Sequence, residues 1–251
     1  MNDSPEYLDR KRFFDSLITI YGRHSVMEAL EDETVRFHKL HLAKSNKPDG
    51  IITKMIALAE AKGIAIEEHD KAKLSRISKN AKQDQGVAAD IIAPNYKEAK
   101  AFFADAPKTY RLLALDQIHN PQNLGMIVRS AAAGSIDGII LPKKGSAKLS
   151  PLVMKASAGT LFKIDILYCD SLEEVLEGLG DTAIYALSSH AKQTIHELEP
   201  AARSIFVLGN ESEGVSDSVT QLCNASLSIP MNRGVESLNV AVTAALIAFM
   251  P

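Results

Sequence analysis

The chain has 251 residues, 46% hydrophobic and 24% charged, with 28 Lys and Arg against 31 Asp and Glu for a net charge of −3. This is the composition of a cytoplasmic globular protein of about one to two domains, and it weighs against a uniformly basic nucleic-acid binder without excluding local patches. No apolar run approaches the ~18 residues of a membrane span, the charged N-terminus lacks a signal-peptide core, and Cys169 and Cys223 form neither a CxxC nor a disulfide framework.

Residues 1–16 mix charges with Pro5 and read as a disordered N-terminal segment. A first domain spans 17–94. In it Ile20-Tyr21-Gly22 leads into a helical pattern at Val26, Ala29 and Leu30, and Val35 to Leu42 alternates as a strand. Pro48-Asp49-Gly50 is a turn and helix start; Ile51, Ile52, Met55, Ile56 and Ala59 follow at helical spacing and stop at Gly63. Ile64 and Ile66 make a short strand, Leu74 and Ile77 a short helix, and Gly86 to Ile92 another strand. The stretch 95–108 has little periodicity and reads as a linker. In a second domain, 109–251, strands alternate with helices: Leu112–Leu115 then Met126–Ala133, Gly138–Leu141 then Pro151–Ala158, Ile164–Tyr168 then Leu172–Leu179. Strands at Ala183–Leu187, Ile205–Leu208 and Ala225–Ile229 follow, with a last helix from about Leu238. Apolar strands alternating with helices predict an α/β fold with a parallel sheet covered on both faces.

The small net charge hides two acid-free runs. Lys71, Lys73, Arg76, Lys79 and Lys82 form one; Lys143, Lys144, Lys148, Lys155 and Lys163 form the other. Each is either a solvated face or a surface for phosphates, whose counterions are released on contact.

Three motifs carry chemistry. Asn120-Pro121-Gln122-Asn123-Leu124-Gly125-Met126-Ile127-Val128-Arg129 follows a strand and opens a helix, with Asn suited to capping and Gly to close backbone approach. Arg129 stands out on an otherwise apolar helix, as a functional group or as the partner of a nearby carboxylate. Leu208-Gly209-Asn210-Glu211-Ser212-Glu213-Gly214-Val215-Ser216 has the glycine spacing of a phosphate loop but lacks its Lys and Ser/Thr, and its acids suit a ligand of neutral or positive character. Ile229-Pro230-Met231-Asn232-Arg233-Gly234-Val235-Glu236-Ser237-Leu238-Asn239-Val240 precedes a wholly apolar helix, with Ser237 as a candidate N-cap. Such a helix must be buried on all sides or face another subunit.

In this order and spacing, over roughly Arg111 to Met250, the motifs resemble the SpoU (TrmH-like) family of SPOUT RNA methyltransferases. Tyr21-Gly22-Arg23-His24-Ser25-Val26 and Gln85-Gly86-Val87 resemble the family's substrate-binding domain, although Asp84 stands where members often carry His. The resemblance implies a small α/β RNA-binding domain followed by an α/β trefoil-knot domain. It also implies methyl transfer from S-adenosylmethionine to a ribose 2′-hydroxyl of structured RNA. The type of front domain leans toward 23S rRNA, guanosine-2′-O type, with tRNA as the alternative. Asn123, Arg129, Glu211, Ser237 and Asn239 fall on the family's catalytic positions, and Leu208, Gly209, Ile229, Met231 and Leu238 on its cofactor-binding ones. Arg23, Lys73, Arg76, Lys79, Lys144, Lys148 and Lys155 become candidate RNA contacts. A homodimer with composite active sites is implied too. A guanidinium is effectively always protonated, so Arg129 is better suited to stabilising a developing alkoxide or clamping a phosphate than to acting as a base.

The competing functions are base-nitrogen methylation, RNA binding without catalysis, and a Ser–His–Asp hydrolase. Motif three favours ribose chemistry over the first, and the filled polar positions disfavour the second. The third lacks a Gly-x-Ser-x-Gly beside any of the seven His, His119 included. No metal-ligand spacing appears.

Overall fold

The computed structural model describes residues 17–33, 35–47, 50–79, 83–92 and 96–251. The segment 1–16, the turn at Pro48-Asp49, Lys82 and Ala93-Pro94 lie outside the described residues. The chain divides into two compact units, Met1–Pro94 and Asn95–Pro251.

In the first unit, β1 (Leu17–Tyr21), α1 (Arg23–Glu31), β2 (Arg36–Ala43), α2 (Gly50–Ala61), β3 (Ala65–His69), α3 (Lys71–Ser78) and β4 (Val87–Ile92) build a four-stranded sheet of order β1-β4-β2-β3. β4 runs antiparallel to both β1 and β2, while β2 and β3 are parallel. The local pattern of residues 17–21 does not separate β1 from the helix that follows; the pairing with β4 does. Its Ile18 and Ile20 alternate inward while Thr19 faces β4. The α3 helix starts where the Asp70 carboxylate accepts from Lys73 N at 2.7 Å, and it buries Leu74 fully.

The second unit contains β5 (Tyr96–Glu98), α4 (Ala99–Ala104), β6 (Tyr110–Leu115), α5 (Pro121–Ala133), β7 (Gly138–Pro142), α6 (Pro151–Ala156) and β8 (Asp165–Cys169). It continues through α7 (Leu172–Leu176), β9 (Ala183–Leu187), β10 (Gln193–Thr194), β11 (Arg203–Leu208), α8 (Asp217–Thr220), β12 (Ala225–Ser228) and α9 (Val240–Ala248). The eight strands form one sheet of order β10-β12-β9-β11-β6-β7-β8-β5, parallel at every pairing. Successive side chains alternate faces. Leu112, Ala114, Ile140, Leu167, Ile205 and Val207 share a core with Ala99, Leu172, Val175, Leu176 and Val219. Leu113, Leu115, Ile139, Phe206 and Leu208 point the other way and are equally buried.

The expected linker is corrected. Within 95–108 lie β5, which pairs with β8, and α4; Ala99, Phe102 and Phe103 of this helix and Ala106 just past its end pack on the core. Those four positions follow helical spacing, but over a segment too short to stand out beside its lysines. The N-cap of α9 is also corrected: Asn239 caps it, accepting from Ala241 N at 2.9 Å, and the helix begins two residues later than expected.

Candidate active site

The site is built at the carboxyl ends of β6, β9, β11 and β12, the edge where open parallel sheets place ligands. After β6, the buried Asp116 ties two motifs together. Its backbone N–H donates to Leu208 O at 2.8 Å, and its carboxylate accepts from Ser216 N at 2.8 Å. After β11, residues 209–214 turn back sharply. Asn210 Oδ1 accepts from Ser212 N at 2.9 Å and Glu213 N at 2.8 Å, while Asn210 O accepts from Gly214 N at 3.0 Å. A Cβ at Gly209 would overlap the Gly214 carbonyl and Val215 N, so only glycine closes this turn.

The α5 helix presents Asn123. Asn120 caps it by accepting from Gln122 N at 2.9 Å, and Pro121 occupies its first turn. A Cβ at Gly125 would overlap Ala156 Cβ and come within 2.6 Å of Val153 O, so glycine permits the close packing of α5 on α6. Asn123 is 5% exposed and joins a directed chain of hydrogen bonds. Ala241 N–H donates to Asn239 Oδ1, so Asn239 Nδ2 is the group that donates to Asn123 Oδ1, at 3.1 Å. Asn123 Nδ2 then donates to the Glu211 carboxylate. A backbone N–H at one end and an acceptor-only carboxylate at the other fix both amide orientations.

A cavity of about 380 Å³ opens beside this chain, within the range of small-molecule sites. Leu208, Gly209, Ile229, Met231 and Leu238 all line it, as do Glu211 and Ser237. Neither Asn123 nor Asn239 lines it; Asn123 bonds Glu211, which does, and Asn239 bonds Asn123. Arg129 does not line the cavity: it is exposed on α5 and makes no hydrogen bond or ion pair among the described residues, so the carboxylate-paired alternative is not what the structure shows. Ser188, Ser189 and His190 after β9 also line the cavity, and no sequence motif points to them. Their signal is topological, because β9 lies between β11 and β12 in the sheet and nothing local to them announces it.

The basic runs divide. Lys144, Lys148 and Lys155 are exposed, as are Lys71, Arg76 and Lys79. Lys143 instead pairs with Glu98 at 2.9 Å and Asp170 at 3.4 Å, contacts that raise its pKa. Lys73 pairs with Glu67 at 3.3 Å. Arg23 donates from Nε to Gln85 O at 3.3 Å, and its backbone N–H donates to Gln85 Oε1 at 3.1 Å. Asp84 is buried under the same turn and accepts from Ser78 Oγ and Gly86 N, both at 3.0 Å. Although the sequence shows no metal-ligand spacing, the fold gathers His41, Glu67 and His69 in the first unit, each offering a ligand atom within 4.8 Å of the others.

Residues 110–249 match the family model described as the SpoU rRNA methylase family, and residues 19–97 match that described as RNA 2′-O ribose methyltransferase substrate binding. A Staphylococcus saprophyticus protein assigned to the TrmH family of tRNA/rRNA methyltransferases is 32% identical over 239 residues, 92% of this chain and 94% of its own length. The AdoMet-bound SpoU methyltransferase AviRb of Streptomyces viridochromogenes superposes with a TM-score of 0.69 at 20% identity, covering 95% of this chain and 90% of that one. A Porphyromonas gingivalis protein assigned to the TrmH family gives 0.67 at 24%, covering 99% and 97%. The parallel α/β fold and these matches define an RNA methyltransferase with SPOUT architecture. Within that class, the chain belongs to the SpoU methylase family.

Proposed function

We propose that the chain methylates a ribose 2′-hydroxyl of structured RNA, a guanosine of 23S rRNA, using S-adenosylmethionine. The observation that carries this reading is the Asn239–Asn123–Glu211 chain ending beside a cavity that Ser237 also lines. The cavity fits the cofactor. Apolar Leu208, Ile229, Met231 and Leu238 suit an adenine, and Glu211, Glu213 and Asp217 set negative charge around a sulfonium. When bound, the cofactor supplies a methyl group already activated by that positive charge.

The protein's work is alignment and handling of the hydroxyl proton. Gly209 lets the turn close, which places backbone rather than a side chain against the cofactor. Asn123 and Asn239 hold the Glu211 carboxylate in one orientation at the cavity edge, where it and the Ser237 hydroxyl orient the ribose. Arg129 stabilises the developing alkoxide or the neighbouring phosphate.

The enzyme works as a homodimer. On α9 and its C-cap, Val242, Leu246 and Phe249 are 47%, 41% and 64% exposed at i, i+4 and i+7, while Ala244 and Ile247 on the other side are fully buried. Met126, one turn before Arg129 on α5, is exposed too. A partner covering these apolar side chains brings Arg129 from an exposed helix face into a composite site. The first unit holds the RNA through Arg23, Lys73, Arg76 and Lys79, and Lys144, Lys148 and Lys155 follow the backbone nearer the target. The cell's cytoplasm is the compartment where this substrate lies.

Mapping the methylated nucleosides of RNA from a deletion strain tests the reading. Loss of one 2′-O-methylguanosine in 23S rRNA is expected. Loss from tRNA selects the alternative substrate, and loss of a base methylation overturns the ribose assignment. Failure of calorimetry to detect S-adenosylmethionine binding would leave an RNA-binding protein without catalysis.

A further inference from the structure

The first unit buries a polar chain that the methylation reaction does not use. His41 and His69 are 5% and 2% exposed, and they lie on adjacent parallel strands with His41 opposite Glu67 and Ala43 opposite His69. His41 Nε2 lies 3.0 Å from Asp90 Oδ2, and Asp90 Oδ1 accepts from Thr19 at 2.6 Å. Burial works to raise the Asp90 carboxyl, but the bonds from His41 and Thr19 outweigh it and hold the group below its ordinary value.

An ionised Asp90 can only accept, so His41 donates from Nε2, and as a neutral imidazole it leaves a lone pair on Nδ1. His69 Nε2 is 2.9 Å from that Nδ1 and must donate into it. His69 Nδ1 is then a bare lone pair. It is buried without a hydrogen-bond partner, and the atom facing it is Glu67 Oε1 at 3.7 Å, another acceptor. Two acceptors therefore face each other, one on buried His69 and one on the partly exposed Glu67, whose Oε1 is held by Lys73 at 3.3 Å.

We propose that His41, His69 and Glu67 form a binding site for a divalent transition-metal ion of the zinc class. Two imidazoles and one carboxylate are a donor set suited to such ions, with water completing a four-coordinate shell, and the ion takes the His41 Nδ1 lone pair in place of the hydrogen bond from His69 Nε2. The 3.7 Å separation of His69 Nδ1 and Glu67 Oε1 is close to the roughly 3.3 Å between neighbouring ligands of a tetrahedral zinc. Asp90 supplies the outer support, holding the His41 ring by its far nitrogen as carboxylates do behind metal-bound imidazoles. The bound ion ties β2, β3 and β4 together across the sheet.

Glu67 sets the affinity. Lys39 and Lys73 reach its two oxygens at 2.9 and 3.3 Å. Both lysines are partly exposed and can swing into water, so the ion and the ammonium groups compete for one carboxylate. This competition distinguishes a built site from adventitious binding to surface histidines, because removing the lysines must tighten it.

The test is titration of the tag-free, chelator-treated full chain with Co(II), read by its visible absorption, and then with Zn(II) by displacement. One ion per chain is expected. His69→Gln and Glu67→Gln lower the affinity at least about 100-fold, and Asp90→Asn about 10- to 100-fold, the usual cost of removing an outer-shell partner. Lys39→Ala with Lys73→Ala raises it. Should a buried variant fail to fold, the imidazole 15N resonances of the unaltered chain give the same answer: Zn(II) must move those of His41 and His69 together. No saturable binding up to millimolar Zn(II), binding that survives His69→Gln in a folded chain, or unchanged affinity in the double lysine variant would each overturn the proposal.

Discussion

The two units place their buried polar groups in opposite ways. The second fills the middle of its sheet mainly with apolar side chains, Ser204 on β11 excepted, and collects polar ones at the strand ends, where Glu211 and Ser237 line one cavity and Asn123 and Asn239 form a chain to Glu211. The first unit runs its polar groups through the sheet itself, from Thr19 on β1 through Asp90 on β4 and His41 on β2 to His69 on β3. Strand ends can vary around a stable core, which is why chemistry gathers there. A chain laid across the strands must instead be satisfied at every link, because each unpaired buried group costs stability. The first unit leaves one link open, at His69 Nδ1.

The contrast is tested hardest at Gly209. Gly209→Ala puts a methyl group into the Gly214 carbonyl and shifts the loop that carries Glu211. S-adenosylmethionine affinity and kcat/KM should fall at least about 100-fold, the usual consequence of misplacing a site by about 1 Å. The sheet lies below this loop, so the circular dichroism spectrum should stay unchanged. A variant with near-normal kcat/KM would mean that the strand-end site tolerates displacement, and the contrast would fail.

Arg129→Lys comes next. Lysine keeps the charge but not the planar fork, and activity should drop about 100-fold, as when a transition-state donor is removed. Near-full activity in single-turnover kinetics would reduce Arg129 to a point charge. Asn123→Ala removes the middle of the Asn239–Asn123–Glu211 chain. It should cost about 10- to 100-fold in kcat with little change in cofactor affinity, because Asn123 does not line the cavity and acts through the Glu211 carboxylate. An equal loss in cofactor affinity would place its effect on the cavity wall instead.

What could be read from the sequence divides along the same line. The strand-end site was legible because each loop carries its polar residues within a few positions of a buried strand or helix: Asn123 soon after β6, Glu211 just after β11, and Ser237 and Asn239 just before α9. Their order and local chemistry needed no knowledge of register. The His41–His69–Asp90 chain was not legible, because its members lie on three strands and meet only through pairings of mixed direction. Glu67 and His69 alternate correctly on one strand, but nothing in E-E-H reveals that a histidine 28 residues earlier lies beside them. Ser188 to His190 are hidden for the same reason, brought to the cavity by strand order alone. The segment 96–104 was lost to brevity: three strand residues and six helical ones carry too few positions to show a period.

The exposed cations of α3 and its C-cap give a smaller and graded effect. Lys71, Arg76 and Lys79 are exposed and make no ion pair among the described residues, so each is available to a phosphate. Replacing all three with Ala should lower the slope of log affinity against log salt by about 0.7 to 0.9 for each phosphate no longer neutralised. Methyl transfer at saturating RNA should barely change, since none of the three lines the cavity. An unchanged salt slope would remove this helix from the RNA-binding surface and leave the first unit's role to Arg23 and its turn.

The smallest effect is expected at Lys143, where a run of charges in the sequence is least reliable as a guide to a surface. Lys143 opens the second acid-free run, yet its ammonium lies 2.9 Å from Glu98 and 3.4 Å from Asp170, and its pKa rises chiefly because Glu98 accepts a hydrogen bond from it. Glu98 belongs to β5, the edge strand held by β8, so the lysine fastens that edge to the end of β7. Partly exposed pairs of this kind contribute about 0 to 1 kcal/mol. Lys143→Ala should therefore lower the unfolding free energy by no more than that while leaving RNA affinity and its salt slope unaltered. Lys148→Ala, from the same run but exposed and without an ion pair among the described residues, should reduce the slope by the amount that a single phosphate carries. If the two variants weaken RNA binding equally, Lys143 exchanges its carboxylates for phosphate on binding, and the run acts as a single surface after all.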